Sequence, residues 1–454
     1  MIGLNKIGLN QVQLNRLRLN APFPAYGKMA GGGGSGDGFP QLPGDVTRWH
    51  FGGLTNEMMA AMDDPRIEDA DHKGRFLSFK NFAWKEGSGI SDVYPGALVF
   101  DGVDDYGTCN NFPVLTKEKG YTVVALRQWD QDFLNTTLTG GLLSTRNYST
   151  GEGVAFEKIE SSNKGYWNLG AGGIIDFAKS PFTWQTSKQY NNVGILKGDK
   201  NHGKPLCVGC GLSGGQQCGR FAIWELVFLD HDATEEELTK IKDYFVKTYP
   251  WLFPDQAWTV VGKTNEDEDR ATIANITGNG NNLVLSNFGF AEGSGYNEEG
   301  EYAGYLVTDG VDDRVVSSSF TLNKDWTIVG NWKMLQPEDN KSAGIVKQNS
   351  LFIYNHVDGL SISINAAYSS FKLKDIRSVN AICSDGRIYL NDWTEIIDSK
   401  QQTVNESVGT LVIGILGNVY TSLAFKNLGF YNNQNLSKDD CIKAYNNLQT
   451  LKAK

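Results

Sequence analysis

The sequence Asp-Gly-Val-Asp-Asp occurs twice, at residues 101–105 and 309–313, and its surroundings are repeated with it. Upstream, Asn-Phe-Ala-Trp-Lys-Glu-Gly-Ser-Gly at 81–89 matches Asn-Phe-Gly-Phe-Ala-Glu-Gly-Ser-Gly at 287–295. Trp49, Gly53, Thr55, Asn56 and Glu57 match Trp258, Gly262, Thr264, Asn265 and Glu266, and Leu-Val-Phe at 226–228 matches Leu-Gly-Phe at 428–430. Across these landmarks the offset stays between 202 and 209 residues. So long a period excludes a solenoid of small units and implies a duplicated domain. A chain of 454 residues has room for two domains of about 200 residues and an N-terminal arm. The plan read from the repeat is an arm and tether at 1–46, a first domain at 47–254 and a second at 255–454.

Many short strands joined by glycine-rich turns account for 52 glycines, 11% aromatic residues and only 21% charged residues. Strand-like runs stand at 97–100, 121–126, 223–229, 327–332, 361–364 and 410–416. Each half then ends on a helix. Thr234 with Glu237 and Ser437 with Asp440 have the spacing of a capping box. Leu238, Ile241 and Phe245 follow at helical spacing, as do Ile442, Tyr445 and Leu448. Pro250 and Pro254 bracket a short, stiff connection. The expected architecture is all-β: an antiparallel β-sandwich, twice, each with a C-terminal helix packed on it.

Leu-Val-Phe-Asp-Gly-Val-Asp-Asp-Tyr at 98–106 resembles an early strand and turn of the laminin-G-like branch of concanavalin A-like jelly rolls. Residues 221–244 and 424–445 are similar to the late strand and short helix of that family. Gly-Asn-Gly-Asn-Asn-Leu at 278–283, followed by Gly-Ser-Gly-Tyr at 293–296, is similar to virion proteins of phages infecting gut Bacteroidetes, including crAss-like phages. The resemblance covers most of residues 49–454 and leaves out the arm. It implies tandem jelly rolls and a structural or fibre protein of a virion.

In the arm, Leu-Asn recurs with Leu4, Leu9, Leu14 and Leu19, and Ile2, Ile7, Val12 and Leu17 recur in the same register. A period of five fits neither an amphipathic helix nor a half-buried strand. It suits a coiled, β-like path that turns once per unit, and four units cannot bury their own apolar face. Two readings follow: the arm is disordered until it meets something, or, as preferred here for its strict spacing of Leu and Ile, it wraps with copies of itself or docks on an acidic partner. Residues 1–36 hold Lys6, Arg16, Arg18 and Lys28 and no acid, which leaves 38 basic and 52 acidic residues for the rest, a balance of -14. A net charge of -10 argues against a general nucleic-acid binder. No apolar run reaches the length of a membrane span, and the first residues lack the continuous apolar centre of a signal peptide. Synthesis in a reducing cytoplasm is the expectation.

Two side-chain sets are candidates for metal. Asp101, Asp104 and Asp105 cluster carboxylates as Ca²⁺ ligands do. The alternative, preferred here, is a turn in which Gly102 and Gly310 supply the backbone angles and the aspartates bond their own backbone. His202, Cys207, Cys210 and Cys218 include the Cys-x-x-Cys half of a zinc site. The duplication acts as a control: Leu-Cys-Val-Gly-Cys at 206–210 aligns with Leu-Val-Ile-Gly-Ile at 411–415, so core packing is the preferred role. His50, His72, His202, His231 and His356 fall in no nucleophile or metal motif. No pair of carboxylates has the pattern of a glycoside hydrolase strand. Trp129, Trp167, Trp184, Trp326, Trp332 and Trp393 could stack on sugars, but most tryptophans of a sandwich are core.

The expectation is a non-enzymatic phage virion protein without cofactor, a capsid-anchored head fibre or decoration protein at the virion surface. Leu4, Leu9, Leu14, Leu19, Arg16 and Arg18 are its assembly residues. Its partners are its own copies, as a homotrimer, and another virion protein met through the arm, with a host surface glycan as a further candidate. Neither nucleic acid nor membrane is expected. The alternative is a receptor-binding tail fibre with a carbohydrate-binding jelly roll.

Overall fold

The computed structural model describes residues 37–113, 121–145, 155–158, 164–167, 174–176, 184–188, 205–212, 216–278, 280–335, 343–348, 351–356, 359–364, 371–374, 376, 378–397, 407–416 and 419–453. The arm residues 1–36 lie outside this set. Among the described residues the chain is predominantly strand, with α1 (Asn56–Ala60), α2 (Gln131–Leu134), α3 (Glu235–Thr248) and α4 (Lys438–Gln449).

Each half contains two sheets packed face to face. In the first, the front sheet runs Trp184–Lys188, Thr122–Trp129, Arg220–Leu229, Ala97–Asp101, Gly89–Ser91, and Val46–His50 pairs alongside Arg220–Leu229. In the second, Gly295–Asn297, Tyr305–Asp309, Ser422–Asn432, Trp326–Met334, Val379–Cys383, Arg387–Leu390 and Glu395–Ile397 form the front sheet, with Gln256–Thr259 beside Ser422–Asn432. The duplication holds at the level of register. Trp49 stands opposite Leu226, and Trp258 stands opposite Leu428. In the back sheets, Val208 faces Gly107 and Ile413 faces Val315, each next to a glycine of positive φ, Gly209 or Gly414.

The central front strands explain why the sequence reads there as unbroken apolar runs. Phe221, Ile223, Leu226 and Phe228 point into the first sandwich, against Leu77, Phe79, Leu143 and Val208 of the back sheet. Ala222, Trp224, Val227 and Leu229 point out, against Ile241 and Phe245 of α3. A strand covered on both faces has no polar side to alternate with. The register shift between Ile223 and Glu225 is the bulge that re-phases the two faces.

Both helices begin where the sequence places them. Thr234 and Glu237 make a complete capping box, and the Ser437 side chain accepts from the Asp440 N–H. The buried stripe of α4 differs from the expected one. Cys441, Ala444, Asn447 and Leu448 are buried, while Ile442 and Tyr445 are only half-buried. Small side chains bring this helix close to its sheet, and a Cβ on Gly429 would sit 3.2 Å from Leu448 Cδ1.

The outer layers of the two halves are continuous. One buried cluster joins Val124, Trp224, Tyr244 and Phe245 of the first half to Ala257, Val329, Tyr431 and Leu448 of the second. At its edge Gln128 donates to Thr450 Oγ1 at 2.7 Å and accepts from Asn447 Nδ2 at 2.9 Å. Residues 37–46, assigned by sequence to the arm and tether, are packed on the first sandwich. Asp37 bonds Arg48, Asp45 bonds Arg75, and the first strand starts at Val46.

Candidate functional site

The repeated landmarks fold into one unit, built twice. Asn56 clamps the backbone of Ile90 through both amide atoms, at 2.8 Å each, and Asn265 does the same to Tyr296. Asn81 and Asn287, both at positive φ, donate to the carbonyls of Asp104 and Asp312 at 3.0 Å. Ser88 and Ser294 accept from Ala83 and Gly289 and donate to Asp105 and Asp313.

In the Asp-Gly-Val-Asp-Asp turn one oxygen from each of Asp101, Asp104 and Asp105 lies within 4.8 Å of the others, and Asp309, Asp312 and Asp313 repeat this. Two of the three carboxylates in each turn nevertheless serve their own backbone. Asp101 Oδ1 accepts from Val103 N–H at 2.8 Å, and Asp105 Oδ2 accepts from Asp101 N–H at 3.0 Å. Asp309 and Asp313 make the equivalent bonds at 2.7 and 2.8 Å. Burial pushes the Asp105 carboxyl up to about 7 and that of Asp313 up to about 6. Asp101 and Asp105 are thus engaged by the turn's own N–H groups and by Ser88, which is the arrangement the turn reading requires.

The zinc set is not brought together as thiolates. Cys210 and Cys218 face each other across an antiparallel pair and are joined as a disulfide. That bond removes both sulfurs from the ligand set, and Cys207 is a buried thiol packed beside them, pushed up to about 12 by burial. His202 lies outside the described residues. The seven residues between Cys210 and Cys218, with Gly211, Gly214 and Gly215 among them, were the signal for a hairpin cross-link.

Of the candidate tryptophans, Trp129, Trp326 and Trp332 are buried core residues. Trp393 is half-buried, packed against Tyr389 and Tyr445. Trp167 and Trp184 lie in strands. The assembly residues Leu4, Leu9, Leu14, Leu19, Arg16 and Arg18 lie outside the described residues.

A further cluster escaped the sequence reading. Beneath α3, Glu225 is bonded by Arg48 Nη1 at 3.2 Å, Tyr244 Oη at 2.9 Å, Tyr249 Oη at 2.8 Å and His50 Nδ1 at 2.9 Å. Arg48 also bonds Asp37 and lies over the Phe39 ring, 4.3 Å from its centroid. Desolvation, with Glu225 adding to it, raises both phenols, Tyr249 the more strongly buried of the two. In the second half the same register positions hold Ala257, Thr259, Asn427 and Asn447, so the charged cluster belongs to the first half alone.

No family model and no curated protein matches the sequence. Among solved structures, the chain is similar to a Trypanosoma rangeli sialidase at 10% identity and a TM-score of 0.31, over 84% of this chain and 67% of that one. It is also similar to the binding domain of botulinum neurotoxin serotype D, at 11% identity and a TM-score of 0.31, over 80% of this chain and 94% of that one. At these values the likeness carries no argument about this chain.

Proposed function

We propose that this chain is a non-enzymatic structural protein of a bacteriophage virion: a head fibre or decoration protein, anchored to the capsid by residues 1–36, that projects two laminin-G-like sandwiches from the virion surface. The observation that carries this reading is the clamp at the root of the arm. Asp37 and Phe39 directly follow the glycine-rich tether, and Arg48 holds both beneath α3. A passive tail needs no buried cation to fasten it, whereas an arm that orients the body needs a fixed root. The second half, which carries no arm, has Ala257 where the first has Arg48. The buried layer shared by the two halves suits a spacer that has to project as one piece.

Charge supports docking of the arm on an acidic surface. Residues 1–36 carry four cations and no acid, and the body has an excess of acids. The apolar pentads, unable to bury themselves singly, favour a trimer wrapped around its own axis.

The test compares the mass in solution of the full chain with that of residues 37–454. The cut belongs after Gly36, because Asp37 to Asp45 are held on the body. A trimer that becomes monomeric on truncation, together with binding of only the full chain to purified particles stripped of it, is the expected result. An unchanged oligomer after truncation, or equal binding of both forms, overturns the reading. Capture of residues 37–454 by a host glycan would move it to a receptor-binding tail fibre.

A further inference from the structure

Two buried cysteines meet where the last helix seats on the second sandwich. Cys383 ends the strand Val379–Cys383, and Cys441 lies in the first turns of α4, both fully buried. Their sulfurs converge on one atom, the carbonyl oxygen of Leu436, at 3.9 Å from Cys383 and 4.0 Å from Cys441. Cys383 also accepts from the Thr327 hydroxyl at 3.6 Å. In the first half, the residue that corresponds to Cys441 in the helix is Leu238.

We infer that Cys383 and Cys441 are a dithiol that oxidises to a second disulfide, bolting α4 to the front sheet of the second sandwich. Both sulfurs are closed to solvent in the folded chain, so the exchange belongs to folding, before α4 is fully seated. The oxidant is a small disulfide of the glutathione class. The Cys383 thiolate attacks one of its sulfurs, its S–S bond breaks, and one thiolate leaves. The Cys441 thiolate then attacks Cys383 Sγ in the mixed disulfide and expels the second. The two protons lost by the protein are taken up by the two leaving thiolates, so the protein loses two electrons and the oxidant gains two.

The position gives the bond a consequence. α4 carries Asn447 and is followed by Thr450, the two residues that hold Gln128 of the first half. A covalent bolt on α4 therefore secures the seam between the halves as well as the helix. This inference is independent of the virion reading.

The test uses the full chain, reduced and unfolded in urea, then refolded in a glutathione redox buffer, alkylated and digested with trypsin without reduction. The expected result is a reductant-sensitive species joining peptide 378–387 to peptide 439–443, each of which contains one cysteine. Its formation should raise the Tm by about 5 °C, a gain that Cys441→Ala cannot show. Recovery of both cysteines in alkylated form, or of either in a different pairing, overturns the proposal. The peptide readout comes from the unsubstituted protein, so it stands even where the variant folds poorly.

Discussion

Arg48 and Glu225 meet beneath α3 with Nη1 3.2 Å from Oε2, and neither side chain reaches solvent. Two buried charges repay their desolvation only when both are present and their remaining positions are filled. Here Tyr244, Tyr249, His50 and Asp37 fill all but Arg48 Nε. Arg48→Ala alone, or Glu225→Asn alone, should each destabilise the first sandwich by about 3 kcal/mol, because each removes the buried counter-charge and leaves Arg48 only the part-exposed Asp37, or Glu225 only His50 and the two phenols. The double variant copies Ala257 and Asn427 of the second half. It should lose clearly less than the sum of the singles in urea denaturation. Additive losses would mean that the two charges do not act as a pair.

The repeated turn titrates. Asp105, pushed up to about 7 by burial, holds a proton in the folded state that an unfolded aspartate releases near 3.8. Its favourable contribution is therefore complete below about pH 4 and is lost as the pH rises through 7. Asp313, at about 6, loses its contribution earlier. Asp105→Asn cannot ionise and keeps one acceptor oxygen. Relative to the parent chain, the variant should gain roughly 1–2 kcal/mol between pH 5 and pH 8, read as the shift in urea midpoint. A difference that stays flat with pH would refute a buried, protonatable Asp105.

The turn unit was legible because it is local and occurs twice: Asn81, Ser88, Gly102 and Asp105 fall within 25 residues, and their partners repeat in the second half. The Arg48 cluster was not, since its members come from 177 residues apart and have no charged counterpart in the other copy. Comparison of the copies contained the signal nonetheless. Arg48, His50 and Glu225 stand where Ala257, Thr259 and Asn427 are small and neutral, and a charge in only one of two matching buried registers needs a reason of its own. Helix α4 shows a different failure. Helical spacing is correct for both Ile442–Tyr445 and Cys441–Ala444, and only the close seat against Gly429 selects the smaller pair.

Gly102 and Gly310 test the turn by sterics alone. Both have φ near +77°, at 76 and 77, where an L side chain is strained. A Cβ on Gly102 would lie 2.8 Å from Arg220 Cβ, and one on Gly310 would lie 2.9 Å from the Ser422 nitrogen. Gly262, at φ 89, has nothing within 4 Å of such a Cβ. Gly262→Ala should therefore cost about 1 kcal/mol, from backbone strain, while Gly102→Ala and Gly310→Ala each cost about 2 kcal/mol or more. Equal losses at all three positions would remove the close approach as a cause.

Gln128 is one of the places where the two halves are joined by polar contact, with the Lys452–Asp132 ion pair and the bond from the Tyr431 hydroxyl to the Trp251 carbonyl. Its side chain is fully buried, donating to Thr450 and accepting from Asn447, and both partners belong to the helical end of the second half. Replacing it by leucine keeps the apolar layer around Val124, Leu126 and Leu448 while leaving the buried Asn447 amide without its partner; the Thr450 hydroxyl still donates to the Asn447 carbonyl at 2.6 Å. The orphaned amide costs about 1–3 kcal/mol, and the cost falls on contact between the halves, not inside either core. Calorimetry should accordingly show one unfolding transition for the parent chain and two for Gln128→Leu, since cooperativity across a seam requires it to be stronger than the difference in stability of the parts it joins. Two transitions in the parent chain would show that the halves unfold independently despite the shared layer, and a body of that kind would bend at the seam.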